Sequence, residues 1–392
     1  MLTKNNFVEL AEVQRKQNTL YCAGLDIHPF GSYRDNIAVY GSVVRTSVVE
    51  TTEEEYVLGL TQDVYRQILN LIPGMSGERN RSNEFSYLLA CVEAYLIKVI
   101  NVLVHFCNIR VFKLQIAFYE QFGPIGMVLL SRINQYIQER QRMEKIRLIR
   151  ILDCKRGDID TTQVAYFVGL LGNLKDSWGV DYAPFDFDII NVTPWMGRDI
   201  MVLGTPEKPG LGLKLMNAGK GIIVVNKSSN PSGPEYQEQK LCAYNTTLQM
   251  TNVDDMNTIS DNFDLEYDGL SSIGLVVGAT HTCDGSIRKA FPSTTTLNPG
   301  FGAQDGKFSR VMPELIRIGK WNGQGAIFSS SRGTMYPWME NLGGSGQVDN
   351  LQVDLVNAIT RFRINEKAAY ETPEVQKMGI VYPFYPDFPL AA

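Results

Sequence analysis

The 392-residue chain is poor in cysteine and poorer in histidine, with six and three. Cys22, Cys91, Cys107, Cys154, Cys242 and Cys283 are scattered, and no CxxC pair or Cys/His cluster occurs. That pattern excludes a disulfide-stapled scaffold and a zinc site built from closely spaced ligands, and it points to a reducing, cytoplasmic setting. The phosphate-cradling GxxxxGK[ST] loop and the nucleophile elbow are also missing. An excess of positive charge is absent: 37 Lys and Arg stand against 42 Asp and Glu, a net charge of -5. Neither nucleic acid nor anionic lipid would be drawn by the overall field, so an anionic ligand has to be held by local charges. A clean membrane-spanning run is lacking as well. The most apolar stretch, YLLACVEAYLIKVINVLVHF at 87–106, contains Glu93, Lys98, Asn101 and His105. The last three share one helical face, which reads as a packed amphipathic helix. The segment after Met1, LTKNNFVELAEVQRKQ, has no continuous apolar core of the kind a signal peptide needs.

What is present is ordinary globular material, 44% hydrophobic and 20% charged, enough for one large core or two modest ones. Eight short apolar runs recur along it: YCAGLD at 21, IRVFKLQ at 109, RLIRILD at 147, FDIINVT at 187, GIIVVNK at 221, GLVVGAT at 274, TTLNPGF at 295 and AIFSSSR at 326. Helix-periodic stretches lie near 87–107, 124–141, 161–173, 198–204, 308–319 and 350–366. Strand and helix in alternation imply parallel strands, and eight units predict a (β/α)8 TIM barrel as a single domain over 1–392. An open doubly wound sheet is the other topology, since periodicity cannot show closure. Three regions exceed ordinary connection lengths. They are an insertion at 30–85 after strand 1, with an extra helix at DVYRQILNLI, an insertion at 234–270 after strand 5, and a C-terminal extension at 367–392.

Polar or Gly/Pro residues collect where the strands end, at Asp26, Lys113, Asp153, Thr193, Ser229, Thr280, Pro299 with Gly300, and Arg332. In a barrel those ends form one rim, the side on which active sites sit. The third end is the most charged: ILDCKRGDIDTT at 151–162 places Asp153, Lys155, Arg156 and Asp158 within six residues. If the strand stays extended, Asp153 and Lys155 point the same way and face the mouth. Two readings stay open for this stretch. Asp158 or Asp160 is the N-cap of the helix beginning TTQVAYFVGLL, with the cations solvated, or the charges form a site.

Taken together, the strand ends resemble the orotidine 5'-phosphate decarboxylase family, in the style of its longer bacterial branch. GLDIHP at 24–29, FKLQIAFYEQFG at 112–123 and ILDCKRGDIDTT, a DxKxxDxxxT segment, are followed in the family's order by NVTPWMG, VVNKSSNPSG, GLVVGATHT, LNPGFGAQDG and SSSRGTMY. The resemblance implies cofactor-free conversion of orotidine 5'-phosphate to UMP and CO2. Lys113, Asp153, Lys155 and Asp158 match the charged tetrad around the substrate's C6, with Lys155 as proton donor. Asp26 matches the ribose-binding aspartate, Ser229 the serine on the pyrimidine, and Gln304 and Arg332 the phosphate ligands, with the Ser331 backbone N–H beside them. Asp158 and Thr162 match residues that reach the neighbouring subunit's ligand, which implies a homodimer with shared sites. His28, His105 and His281 match no catalytic position and are assigned to loops and packing, as is Cys154. The sequence departs from the pattern at Asp160, at Asn226 and Lys227, and in the 234–270 expansion.

The residue types suit the chemistry. Loss of CO2 from C6 leaves electron density that the ring cannot delocalise, so a fixed cation has to meet it. Two unit charges 4 Å apart interact by about 4 kcal/mol at an effective dielectric near 20. Lys155 would supply that charge, Asp153 and Asp158 would bracket it, and Lys113 would offset part of their negative charge. Two other functions compete: a sugar-phosphate decarboxylase or synthase of the same barrel superfamily, which holds magnesium through DxKxxD, and a binding or scaffold barrel with a vestigial site. Lys113 stands where the first would carry an acidic residue.

Overall fold

The computed structural model describes residues 5–42, 51–71, 79–172, 175–205, 207–241, 246–263, 265–280, 285–301, 307–315 and 321–384. Each of the eight apolar runs is a strand: β1 (Tyr21–Gly24), β2 (Val111–Gln115), β3 (Ile149–Arg156), β4 (Ile189–Val192), β5 (Gly221–Lys227), β6 (Ile273–Val277), β7 (Thr295–Pro299) and β8 (Ala326–Ser330). Neighbours pair in parallel, and β8 returns to β1 in the register Tyr21↔Phe328, which closes the barrel and excludes the open sheet. Between β5 and β6 two antiparallel pairs of two-residue strands stand apart from the barrel.

Strand alternation sorts the apolar residues into two cores. Ile222 and Val224 face the helices, whereas Ile149, Ile151, Ile189, Ile223, Val276, Leu297 and Ile327 fill the interior. The interior is finished from below by a helix that the sequence reading did not identify, α1 (Asn6–Gln17), whose Phe7, Val8 and Leu10 join that cluster. Asn5 caps it, accepting from the Val8 N–H at 2.8 Å. Side-chain amides then fasten it to the lower strand ends: Asn5 Nδ2 donates to the Leu270 carbonyl (2.6 Å), Asn6 Nδ2 to that of Asp188 (2.8 Å) and Gln14 Nε2 to that of Ala326 (2.8 Å).

The outer layer comprises α2 (Tyr33–Tyr40), α3 (Thr51–Asn70), α4 (Arg79–His105), α5 (Pro124–Glu144), α6 (Asp160–Leu170), α7 (Leu248–Asn262) and α8 (Leu351–Tyr370) with shorter turns. Within α4 the stretch Ser82–His105 is long and apolar enough to cross a membrane. Here Leu89, Val92, Leu96, Val99 and Leu103 are buried in the main core, and Lys98 and His105 face outward as the periodicity requires. Buried Glu93 of this helix accepts from the Tyr65 hydroxyl (2.5 Å) and from Arg132 Nε (2.8 Å), joining α3 and α5 through one satisfied carboxylate.

Several expectations change. The segment between β1 and β2 carries α2 and α3, and α4 begins within its polar end, because GERNRSNE runs into the apolar helix without a break at Arg79. The stretch near 198–204 is no α-helix: a 3-10 segment, Pro194–Met201, is interrupted by Gly197 at φ 72° and ends on left-handed Val202. The polar region after β5 contains α7. The aromatic tail folds back under the barrel, where Ile380 and Phe384 are buried and the Tyr370 and Tyr382 rings lie 5.2 Å apart. Residues 385–392 lie outside the described set.

Glu366 of α8 is fully buried beneath β1, accepting from the Thr19 hydroxyl and from the Leu20 N–H (2.9 Å). Burial pushes its carboxyl up to about 7, against the lowering effect of those two donors and Arg363. Because the folded value lies above the ordinary 4.5, the neutral acid stabilises the fold below pH 4.5, and this is lost as pH rises through 7. The loss comes to about 3 kcal/mol. Thermal melts of wild type and Glu366→Gln between pH 5 and 8 check this: the difference should move steadily in favour of the glutamine variant.

Candidate active site

The barrel's inward-facing positions change character at the carboxyl ends of the strands. Two residues beyond apolar Val111, Ile151, Ile189 and Ile327 come Lys113, Asp153, Asn191 and Ser329. The same alternation that fills the core thus lifts a polar layer to its mouth.

Asp153 is the centre of that layer. Lys113 Nζ lies 3.1 Å from its Oδ2 and Lys155 Nζ 2.5 Å from its Oδ1, while Asn191 Nδ2 donates to the same Oδ1 at 2.6 Å. Lys113 also faces Asp26, with 3.9 Å between Nζ and Oδ1. Asp26, Lys113 and Asp153 are buried, whereas the Lys155 side chain is 47% exposed. Burial alone would raise the Asp153 carboxyl; Lys113, Lys155 and the two hydrogen bonds outweigh it and hold the group far below the usual carboxylate range. Burial alone would likewise lower Lys113, and Asp26 and Asp153 raise it above its ordinary value instead. These two opposed shifts keep Asp153 anionic and Lys113 cationic.

The strand carrying Asp153 and Lys155 does not stay extended. Leu152 pairs with Ile190, yet the next partners are Arg156 and Val192, so Asp153, Cys154 and Lys155 stand opposite Asn191 alone. Lys155 takes φ 45°, a left-handed conformation uncommon for a side chain of its size. Asp153 and Lys155 do meet, as alternation predicts, but through a bulge.

Asp26 is held by what surrounds its backbone. The Tyr336 hydroxyl donates to the Asp26 carbonyl (3.1 Å), that of Tyr119 to Leu25 (3.1 Å) and that of Tyr40 to His28 (2.6 Å). Its buried Oδ1 has no hydrogen-bond partner among the described residues. A carboxylate oxygen in that state is an acceptor awaiting a ligand donor.

A cavity of about 260 Å³ opens above this layer, and Asp26, Lys113, Asp153, Ser229, Ser331 and Arg332 all line it. Two glycines make room. A Cβ on Gly24 would lie 2.1 Å from Ser331 Oγ, and one on Gly278 would lie 2.6 Å from the Ser229 backbone. The Ser229 loop is tied down where the Ser229 carbonyl accepts from Thr280 Oγ1 (2.8 Å) and where Gln237 grips Ser228, accepting from its N–H (2.9 Å) and donating to its Oγ (2.8 Å). His28, assigned to loop packing from sequence, does pack edge-on against Phe118 at 4.5 Å, and it also lines the cavity.

Three described residues that the sequence predicts for the site do not line this cavity: Lys155, which is joined to its wall through Asp153, Asp158 and Thr162. Asp158 accepts from the Ile159 N–H (2.7 Å) and Thr162 is exposed on the first turn of α6. Neither Asp158 nor Asp160 is the N-cap of that helix. Ile159 holds the position without a side-chain bond, and Asp160, at φ 48°, is already the first helical residue. Gln304 lies in 302–306, outside the described residues, as does His281. Conversely, Asn191 was overlooked. Its signal was a polar amide inside the otherwise apolar run FDIINVT, at an inward position.

No family model matches the chain. Among curated proteins it is 35% identical over 221 residues to the orotidine 5'-phosphate decarboxylase of Rhodopirellula baltica, covering 56% of this chain and 65% of that protein. It is 31% identical over 239 residues to that of Clostridium novyi, covering 61% of this chain and 73% of the relative. The chain belongs to the orotidine 5'-phosphate decarboxylase family. Solved structures agree on the fold. The Plasmodium berghei orotidine 5'-monophosphate decarboxylase superposes with a TM-score of 0.61 at 16% identity, over 94% of this chain and 99% of that one. For the Leishmania donovani OMP decarboxylase the values are 0.51, 18%, 91% and 98%.

Removing the cation between the two buried carboxylates has a calculable sign. Lys113→Met should destabilise the protein by about 3 kcal/mol or more, since Asp26 is left buried without its nearest cation. Urea unfolding of Lys113→Met, Asp26→Asn and the double variant checks it. The double variant should be more stable than the sum of the single losses predicts.

Proposed function

We propose that the chain decarboxylates orotidine 5'-phosphate to UMP and CO2 without metal or organic cofactor. The observation that carries this reading is the pair Lys113–Asp153, with Asp26 beside it, lining one cavity with Ser331 and Arg332, while Lys155 holds the other oxygen of Asp153. Cationic and polar groups for a phosphate thus share one cavity with charged groups suited to a carbanion.

In this reading the phosphate is held by Arg332 and by the Ser331 backbone N–H, with Gln304 joining them, and Asp26 accepts from the ribose. Ser229 contacts the pyrimidine. Those remote contacts supply binding energy that fixes the reacting carbon beside Lys155. Asp153, an anion whose pairing with Lys113 and Lys155 keeps it ionised, holds the Lys155 ammonium toward C6. As the C–C bond breaks, the electron pair left on C6 meets that ammonium, which then transfers its proton to the carbon. Repulsion between Asp153 and the substrate carboxylate, relieved as CO2 leaves, is a secondary contribution.

Asp158 and Thr162 are the residues that a homodimer would use. Both lie off the wall of their own chain's cavity, at an exposed corner after β3, so a second copy could receive them. The protein would work in the cytoplasm, where its four described cysteines, all free and buried, stay reduced. The magnesium-dependent sugar-phosphate reading is disfavoured because an ammonium, Lys113, already occupies the place between Asp26 and Asp153.

Two measurements test the proposal. Substrate absorbance should fall on mixing wild-type protein with orotidine 5'-phosphate in EDTA, and Lys155→Ala should lower kcat by several orders of magnitude with the fold intact. No turnover by folded wild type sinks the activity; an unimpaired Lys155→Ala sinks the mechanism. For the shared site, Lys155→Ala and Asp158→Ala proteins, each inactive, should recover activity when mixed, up to about one quarter of wild type, because half of randomly formed dimers carry one intact site of two. Absence of recovery after subunit exchange would refute shared sites.

A further inference from the structure

The Asn191 side chain makes three hydrogen bonds, one to each of the three residues that stand opposite it in the bulge. Its Oδ1 accepts from the Cys154 N–H at 2.8 Å and from the Lys155 N–H at 2.7 Å, and its Nδ2 donates to Asp153 Oδ1 at 2.6 Å. The residue is buried, 1% exposed. Residues 153–155 have only Asn191 across from them in β4, so the regular ladder cannot serve all of their amides. An unpaired backbone N–H at this depth would cost as much as a lost hydrogen bond. One amide oxygen takes two of them. A neutral amide does this while also donating to an anion, so the orientation of the Asn191 side chain follows from its partners.

We propose that Asn191 is a positioning residue that locks the β3 bulge and thereby sets where the Lys155 ammonium stands. Without it, nothing in β4 offers the Cys154 and Lys155 N–H groups an acceptor at that place, and the left-handed Lys155 backbone loses the bond that offsets its strain. Asp153 loses one of the three donors that fix its carboxylate, and with it the orientation of the oxygen that Lys155 contacts at 2.5 Å. The catalytic part of this inference rests on the function proposed above; the geometric part does not.

Three variants separate the possibilities. Asn191→Ala should lower kcat about 10- to 100-fold, the rate equivalent of unmaking a buried polar contact, and shift KM for orotidine 5'-phosphate less than about threefold, because Lys155 acts on charge that develops only in the transition state. Asn191→Leu, which fills the volume and keeps the fold, should lose as much. In Asn191→Asp the first oxygen can still accept from both N–H groups, but the second faces Asp153 and has to carry a proton to replace the amide donor. Its kcat should therefore recover toward wild type as pH falls from 8 to 5, while wild type does not follow that curve. A merely structural role would not produce that pH dependence. An Asn191→Ala enzyme with kcat within twofold of wild type, or an aspartate variant with the wild-type pH profile, overturns the inference. A crystal structure of Asn191→Ala decides the geometric part whatever the substrate. Lys155 leaving the left-handed region supports it, and Lys155 retaining both that backbone and its contact with Asp153 overturns it. Failure of wild type to turn over orotidine 5'-phosphate would instead refute the proposed function alone.

Discussion

One carboxylate organises the mouth of this barrel. Asp153 receives a buried ammonium, a half-exposed ammonium and an amide from three different side chains, and each of those reaches it from a different point of the polypeptide. Burying a carboxylate is unfavourable unless its charge is matched and its oxygens are bonded. Here both conditions are met, so the group stays anionic in a place where an isolated acid would be neutral. Lys113 in turn is tolerable in the interior only because Asp153 and Asp26 face it. The strand ends are therefore interdependent: no one of these groups could sit where it does without the others.

The barrel supplies the precision such a cluster needs. Parallel strands place successive inward residues at fixed heights, so a polar residue two positions beyond an apolar one enters the mouth at a known level. The tyrosine hydroxyls of α2 and of the turn after β8 hold the end of β1, and Gln237 and Thr280 hold the Ser229 loop. Flexible side chains thus act from a backbone that is pinned by hydrogen bonds on both sides.

Much of this was legible in the residues. All eight strands could be counted because each is a short apolar run ended by a polar or Gly/Pro residue, and the order of the strand ends carried the family resemblance. The cavity wall followed from the same ends: Asp26, Lys113, Asp153, Ser229, Ser331 and Arg332. What escaped notice depended on partners distant in sequence. Helix α1 has no strong periodic signature, since Asn5, Asn6 and Gln14 spend their amides on the barrel instead of on water. Asn191 looked like an interruption of a strand because its three partners lie on another one. The left-handed Lys155 could not be read either, as nothing in DCKR favours φ above zero; the bulge imposes it. Capping by Asp158 was a reasonable local expectation, and the chain uses no side-chain cap there.

The stopper helix has a consequence for how the molecule assembles. Gln14 donates to a carbonyl 312 residues away and Asn5 to one 265 away, so two of the anchors of α1 exist only when the later strands are in place. Contacts of that span are slow to form, since the loop entropy must be overcome before they contribute. Until ring closure, Phe7, Val8 and Leu10 have no interior to enter. The helix that closes the floor is thus also a clasp between the two ends of the polypeptide, and its full set of contacts exists only in the closed ring.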